Sequence, residues 1–583
     1  MSESTPFDLS PSLTAFVDPK SINQRNAKAA AKIYRALKPR QMRLIMLHRG
    51  TGRLRCSLLI VSDDPQPEYE ALSYVWGSQT DLKTIYLNDK RYFVTTNLFD
   101  TLQMLRSRDK DRILWIDALV INQSDLKERA TEIAKMSAIF SRAVKTLVWL
   151  GQGNSEIERH MINLANLNVE KANLTSNPGG IGVPIRLDVV SILGVTYWDR
   201  AWVVQELMYS DEVLLFYGLC SLPWDHFIKI VDKGLNPLWL GYSDLAWGDP
   251  KLAIRPGSGR RKEYLRLPIW LESYCCLRDC TESRDHVFAY HGCFPPFVRD
   301  RIRLAYNMSL EQIAMDVTLA WIDSERNLDF LSQVGRRGKW ISKQQVPTWI
   351  PNYFGTRASI NSLTDYSETP RQTTAPPVFR FLDGNSVLEV KGVWLGAINS
   401  TGTQPTGSGS FQVEGLDTYL LEQLSHSQGL INNLEPDFRE LIHMSFNRED
   451  LLSKFGEDSH IVKNISASYD FTRGGIEVYN VGQLIHIVSN HTRISFRFNP
   501  VEASRSIQMG KASIPFGFGT SELKVGDQLC VVVGCRLALI LRNVGKKYMV
   551  VGNAYVFGFH SGLDLHNKFS EYPPSVIDTI ELC

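Results

Sequence analysis

Residues 113–151 read ILWIDALVINQSDLKERATEIAKMSAIFSRAVKTLVWLG, and their pattern decides the fold class. Residues 113–116 are a short continuous apolar run, the mark of a buried strand. Asp125 with Glu128 forms a capping pair ahead of Leu126, Ala130, Ile133, Met136, Phe140 and Ala143, whose steps of three and four predict one amphipathic helix. Residues 146–150 are a second apolar strand, closed by Gly151. Toward the N-terminus, residues 70–75 (EALSYV) predict a further strand and 97–106 a helix. Strand, helix, strand, helix, strand predicts an α/β unit with a parallel sheet.

Additions flank this unit. Apolar runs around Arg49-Gly50-Thr51-Gly52 predict a β-hairpin over 41–61, and Asn88-Asp89-Lys90 turns a second one between 84–87 and 91–95. Residues 1–40 are polar with a helical pattern at 26–37 and read as an N-terminal arm. Residues 173–184 (NLTSNPGGIGVP) read as a loop. Residues 261–368 read as a helical extension, with Ser309 and Gln312 as a capping box. A Thr, Pro and Gln-rich stretch near 369–377 marks a junction. Beyond it, to residue 583, short alternating runs separated by Gly, Asn and Asp predict a β-rich C-terminal sandwich or barrel with a helical insertion at 415–455.

Composition narrows the function classes. With 64 Lys and Arg against 62 Asp and Glu, the net charge of +2 gives no global footprint for nucleic acid. Two local basic clusters, Arg260, Arg261, Lys262 and Arg266, and Arg336, Arg337 and Lys339, lack interleaved aromatics and read as solvated loops. Nine cysteines in 583 residues are too sparse for a disulfide scaffold and fit a reducing compartment. No leader pattern or membrane-length apolar run is present, so a cytoplasmic protein with no transmembrane segment is expected. The phosphate loop, HExxH, GxSxG and paired CxxC motifs are absent. Cys275, Cys276, Cys280, His286 and His291 match no standard zinc spacing, so no metal is expected.

Three apolar-aromatic segments stand out: Tyr69-Glu70-Ala71-Leu72-Ser73-Tyr74-Val75-Trp76-Gly77, Leu114-Trp115-Ile116-Asp117-Ala118-Leu119-Val120-Ile121-Asn122-Gln123, and Trp198-Asp199-Arg200-Ala201-Trp202-Val203-Val204-Gln205-Glu206-Leu207. Ligands of open parallel sheets bind outside the carboxyl ends of the strands, where all three would meet. Each residue also has a plainer reading. A helical glutamate is usually solvated or a cap, Asp117 suits an Asx turn, Asn122-Gln123 can shape a loop, and Trp76, Trp115 and Trp202 suit core packing.

The three segments resemble, in order, the Y-x-A-L-S-Y-x-W-G, W-I-D-A-x-x-I-N-Q and W-x-R-x-W-x-x-Q-E-L motifs of the fungal heterokaryon-incompatibility (HET) domain family. Ser283-Arg284-Asp285-His286-Val287-Phe288-Ala289-Tyr290 is similar to the R-D-x-V-Y-A segment beyond that core, and Val346-Pro347-Thr348-Trp349-Ile350-Pro351 to a P-S-W-V-P segment. Val120 stands where the family commonly has Cys. The resemblance implies a HET domain over 41–260, with its core at 69–207. It also implies a role in nonself recognition and regulated cell death, with self-association and an allelic or signalling protein as partners.

The core is in turn similar to TIR domains, which implies a flavodoxin-like parallel sheet. Trp202-Val203-Val204-Gln205-Glu206-Leu207 resembles their W-C-x-x-E-L segment, whose glutamate is catalytic in TIR-type NAD glycohydrolases. The resemblance implies Glu206 as the catalytic carboxylate and NAD as a substrate rather than a cofactor. Ser73, Tyr74 and Trp76 would be the cleft wall, Asp117 and Asn122 polar positioning groups, and Trp202 a stacking ring. The alternative is a noncatalytic HET module that recruits partners through its surface.

Overall fold

The structure is a computed structural model that describes residues 20–62, 64–65, 67–169, 182–234, 264–275, 278–335, 346–354, 376–401, 493–500, 516–520, 522–535, 537–556 and 576–583. The start of the arm, most of the 173–184 loop, Arg260 to Lys262, Cys276, Arg336 to Lys339, most of the 369–377 junction and the 415–455 insertion lie outside the described residues. The chain divides into two compact units: residues 1–265 with 278–294 and 304–307, and residues 266–277 with 295–303 and 308–583.

In the first unit, nine strands form one mixed sheet in the order β5-β4-β2-β1-β6-β3-β7-β8-β9. They are β1 (Gln41–Leu47), β2 (Arg55–Ser62), β3 (Glu70–Tyr74), β4 (Leu82–Leu87), β5 (Lys90–Thr95), β6 (Arg112–Trp115), β7 (Lys145–Trp149), β8 (Val213–Tyr217) and β9 (Cys220–Pro223). The helices up to residue 234 are α1 (Lys20–Ile33), α2 (Thr96–Leu105), α3 (Asp117–Val120), α4 (Leu126–Ala134), α5 (Met136–Arg142), α6 (Ser155–Asn166), α7 (Gly182–Leu193), α8 (Trp202–Met208) and α9 (Trp224–Gly234).

The centre of the sheet is parallel, as expected: β3 pairs with β6 and β7, and β7 with β8. Parallel strands are covered on both faces, which is why β3 and β7 are apolar runs buried at every position after the first. Numbered among themselves, the four strands of this centre, β6, β3, β7 and β8, lie 2-1-3-4. The switch point of that order, between the carboxyl ends of β3 and β7, is where such sheets place ligands.

Both expected hairpins form and extend one edge of this centre, with β1 antiparallel to β6. Asn88 and Asp89 take φ 48° and 59°, the left-handed pair that matches the strand twist in a two-residue turn. Asn26 of α1 exchanges two hydrogen bonds with the backbone of Phe93 (2.9 and 2.8 Å), supplying the edge strand β5 with partners.

The single helix expected after Asp125 is two, because the ladder tightens at Lys135, whose N–H bonds to the Glu132 carbonyl. Asp125 caps α4 through Lys127 N and Glu128 N, both 3.0 Å. Glu128, however, does not close a capping box. Arg43, fully buried on β1, takes its carboxylate at 2.6 and 3.1 Å, since a buried guanidinium requires a counter-charge.

In the second unit, Ser309 and Gln312 form the expected capping box on helix Leu310–Glu325. Eight strands follow: β10 (Phe379–Leu382), β11 (Val387–Thr401), β12 (Arg493–Pro500), β13 (Phe516–Thr520), β14 (Gln528–Val532), β15 (Ala538–Val544), β16 (Lys547–Val556) and β17 (Asp578–Leu582). The path β11-β12-β13-β16-β15-β14 returns to β11 by a β11–β14 pairing, so the sheet closes into a barrel. Val393, Leu395, Leu529, Val531, Ile540 and Val551 belong to its buried core. Gly392 is required where β11 meets β14: a Cβ there would lie 2.8 Å from Cys530 Sγ and 3.0 Å from the Val531 carbonyl. Among the described residues no helix is long and apolar enough to cross a membrane.

Candidate functional site

Glu206 lies on α8, a seven-residue helix whose residues from Val203 onward are all buried. Its carboxylate is 4% exposed, and Oε2 accepts from the hydroxyl of Ser73 on β3. With that proton committed to the carboxylate, Tyr197 donates to Ser73 Oγ at 2.6 Å. The result is a relay from Tyr197 through Ser73 to Glu206, crossing from the 3₁₀ turn Thr196–Asp199 to the sheet and on to α8. Arg200 completes the cluster, with Nη2 3.7 Å from Glu206 Oε1. Burial pushes the Glu206 carboxyl above its usual range, and Arg200 and the Ser73 hydrogen bond oppose it.

A second carboxylate stands close by. Asp117, at the first position of α3, accepts from Trp76 Nε1 at 2.8 Å and from Ala118 N at 2.7 Å. The bond to Ala118 N is to the adjacent residue, one short of the two-residue reach of an Asx turn. Burial raises its pKa too, against the charges of Arg200 and Arg129. Trp76 is half-buried and followed by Gly77 at φ 75°, where a Cβ would lie 3.2 Å from Asn97 Cβ. Asn97 in turn donates to the Val75 carbonyl (2.5 Å) and accepts from Trp149 Nε1 (2.9 Å), tying the end of β3 to the end of β7. Tyr74 is buried, and Asp117 and Glu206 add to the burial that raises its phenol pKa.

Ser73, Tyr74, Trp76, Asp117 and Glu206 therefore converge at the carboxyl end of β3. Trp202 joins them indirectly: its indole donates to Asp285 at 3.3 Å. Asn122 is not brought in. Its Oδ1 accepts from Ser124 N within its own loop, and its backbone N–H goes to Glu128 at 2.7 Å. No group of three or more His, Cys, Asp or Glu side chains able to hold a metal occurs among the described residues.

Sequence reasoning passed over five side chains. Tyr197 immediately precedes the third motif and Arg200 lies within it. Asp285, from the SRDHVFAY stretch, accepts from Tyr306 at 2.6 Å and pairs with Arg129 at 3.4 Å, whose guanidinium lies 3.9 Å from the Tyr306 ring centre. Residues on either side of that stretch clamp α8: Gly292 N–H donates to Gln205 Oε1 (2.9 Å), Tyr209 donates to the Gly292 carbonyl (2.6 Å), and Ala201 N–H to the Asp279 carbonyl (3.3 Å). The charged residues that Arg200 and Asp285 contribute to the quoted motif segments are the signal that could have found them.

The cluster coincides with a recognised family. Residues 69–206 match the family model described as Heterokaryon incompatibility protein (HET). The chain carries a HET domain. A curated relative, "Heterokaryon incompatibility protein 6, OR allele" of Neurospora crassa, is 35% identical over 145 residues. The shared stretch is 22% of this chain and 21% of that relative, so the likeness spans about a fifth of either protein. No solved structure matches the chain. The HET match ends at Glu206, so Asp285 and Gly292 lie outside it while bonding to side chains within it.

Proposed function

We propose that this is a fungal nonself-recognition protein that triggers regulated cell death, and that its HET domain acts by cleaving NAD at Glu206. The name of the Neurospora relative supports the role in incompatibility. The observation that carries the chemistry is the buried Glu206 carboxylate, held by Ser73 at the carboxyl end of β3 beside Arg200. The 2-1-3-4 order of the parallel strands is the first part of the flavodoxin-like 2-1-3-4-5 order and supports a TIR-like core. It departs from that order at the fifth place, where β9 is antiparallel.

In the reaction, the bond between C1′ of the ribose and the nicotinamide nitrogen breaks, and its electron pair leaves with nicotinamide as a neutral ring. Such a leaving group needs no general acid, so one carboxylate suffices where ordinary glycosidases use two. Ionised Glu206 holds the ribose hydroxyls and stabilises the positive charge developing at C1′. Water adds to C1′ and releases a proton, giving ADP-ribose. Ser73 and Arg200 favour the ionised form against burial, which is what this role requires.

A second reading, a noncatalytic HET interaction module, is favoured by the same burial: the Tyr197–Ser73–Glu206 relay also cross-ties β3 to α8. Expression of the full chain in a fungal host, wild type beside Glu206→Gln, separates the two. NAD depletion before loss of viability, with both abolished by the substitution, is the expected result. Full killing by the variant with NAD intact would establish the interaction module instead.

A further inference from the structure

Arg200 stands beside Glu206 with its hydrogen-bonding capacity unused. Its side chain is 17% exposed, and Nη1 is buried with no hydrogen-bond partner among the described residues. Nη2 lies 3.7 Å from Glu206 Oε1, beyond hydrogen-bond length. Arg43, buried in the same unit, differs: Nη1 and Nη2 both bond to Glu128 and also to the Val120 and Arg35 carbonyls, and only Nε is without a partner among the described residues. Buried donors in folded proteins almost always have a partner, and an orphaned one points to a water or a ligand.

We propose that Arg200 anchors a phosphoryl group of the ligand bound at Glu206. The inference rests on the preceding functional reading, under which that group is the phosphate attached to the ribose held by Glu206. The planar fork of a guanidinium fits phosphate through two parallel hydrogen bonds. Two carboxylates, Glu206 and Asp117, lie close enough for Arg200 to oppose their protonation, yet neither closes to a hydrogen bond on it. The fork is thereby held in place without being filled. A 3.7 Å separation of guanidinium and carboxylate lets the two groups hold adjacent parts of one molecule, hydroxyls on Glu206 and phosphate on Arg200. Arg129, whose charge also reaches Asp117, adds a second cation near the same carboxylate.

The test compares NAD and nicotinamide mononucleotide, which carry this phosphate, with nicotinamide riboside, which lacks it. Arg200→Gln also removes a charge that helps keep Glu206 ionised, so part of the loss falls on all three substrates; kcat/KM for the first two should fall about 10- to 100-fold further than for the riboside. Arg200→Lys, which keeps the charge but not the fork, should fall between. An equal loss on all three substrates would overturn the proposal and make Arg200 a counter-charge for Glu206 and Asp117. A binding measurement separates this outcome from failure of the catalytic reading: calorimetry of ADP-ribose with Glu206→Gln, and with Glu206→Gln combined with Arg200→Gln or Arg200→Lys. Binding that weakens with either change at Arg200 supports the anchor even if the wild type cleaves no NAD. Binding that is absent from Glu206→Gln, or indifferent to Arg200, overturns it.

Discussion

Ser73→Ala removes the centre of the relay that joins β3 to α8. The wild-type hydroxyl makes two buried hydrogen bonds, one to the Glu206 carboxylate and one, at 2.6 Å, with Tyr197. A hydrogen bond to a charged group contributes about 1.5–3 kcal/mol and a neutral one about 0.5–1.5 kcal/mol. With alanine in place, a buried carboxylate and a buried phenol both lose their partner, so the local loss is about 2–4 kcal/mol. Amide hydrogen exchange of the full chain reads this directly. Peptides covering β3 and residues 198–209 should exchange roughly 30- to 1,000-fold faster than in the wild type, following the tenfold-per-1.4 kcal/mol relation. Peptides from β15 and β16, in the second unit, serve as the internal reference and should not change. Acceleration of less than about threefold in the α8 peptide would refute the reasoning, because the relay would then contribute nothing to holding α8 on the sheet.

Other perturbations give results of known sign. Glu128→Ala leaves Arg43 as an unpaired buried cation and should destabilise the first unit by about 3–5 kcal/mol in denaturant unfolding. Asp64→Ala, which breaks an ion pair whose side chains are 71% and 68% exposed, should cost less than about 1 kcal/mol. Gly392→Ala forces a methyl against Cys530 and Val531 and should cost about 1–3 kcal/mol, measured as a lowered unfolding midpoint of the barrel. Burial raises Glu206, Asp117 and Asp285 together, so the folded chain retains protons that the unfolded chain releases. Their contribution to stability is full below about pH 4 and is lost as pH rises through the folded values. Glu206→Gln removes one of the three, so its Tm advantage over wild type should grow from about pH 4 to neutrality; a constant or shrinking difference would contradict the shift.

The parallel centre was legible because strands buried on both faces are rich in apolar residues, and EALSY and KTLVW are short enough, with KTLVW closed by Gly151, to favour strand over helix. Asn88 and Asp89 announced their hairpin because those residues tolerate the left-handed backbone it needs. Side-chain partnerships across long separations left no such trace. Arg43 and Glu128 are 85 residues apart, and the local pattern assigned Glu128 to a capping box that the distant arginine pre-empts. Asp285 reaches Trp202 across 83 residues for the same reason. Ser73 and Glu206 were named from motif likeness alone, 133 residues apart, and the fold brings them into hydrogen-bond contact. Asn122 was named from the same likeness, and its side chain serves its own loop instead. Spacing along the chain identifies which residues share an element; it does not say which distant charge will claim a carboxylate.

The central claim is that Glu206 performs chemistry rather than merely bracing α8. It is tested most directly by nicotinamide release from NAD by the concentrated, purified full chain, with wild type and Glu206→Gln compared at a temperature where both are fully folded. The account predicts turnover by the wild type that rises with pH as Glu206 ionises above the usual carboxylate range, and none by the variant. Equal nicotinamide release by both proteins, or none by either at the highest protein concentration reached, would contradict it.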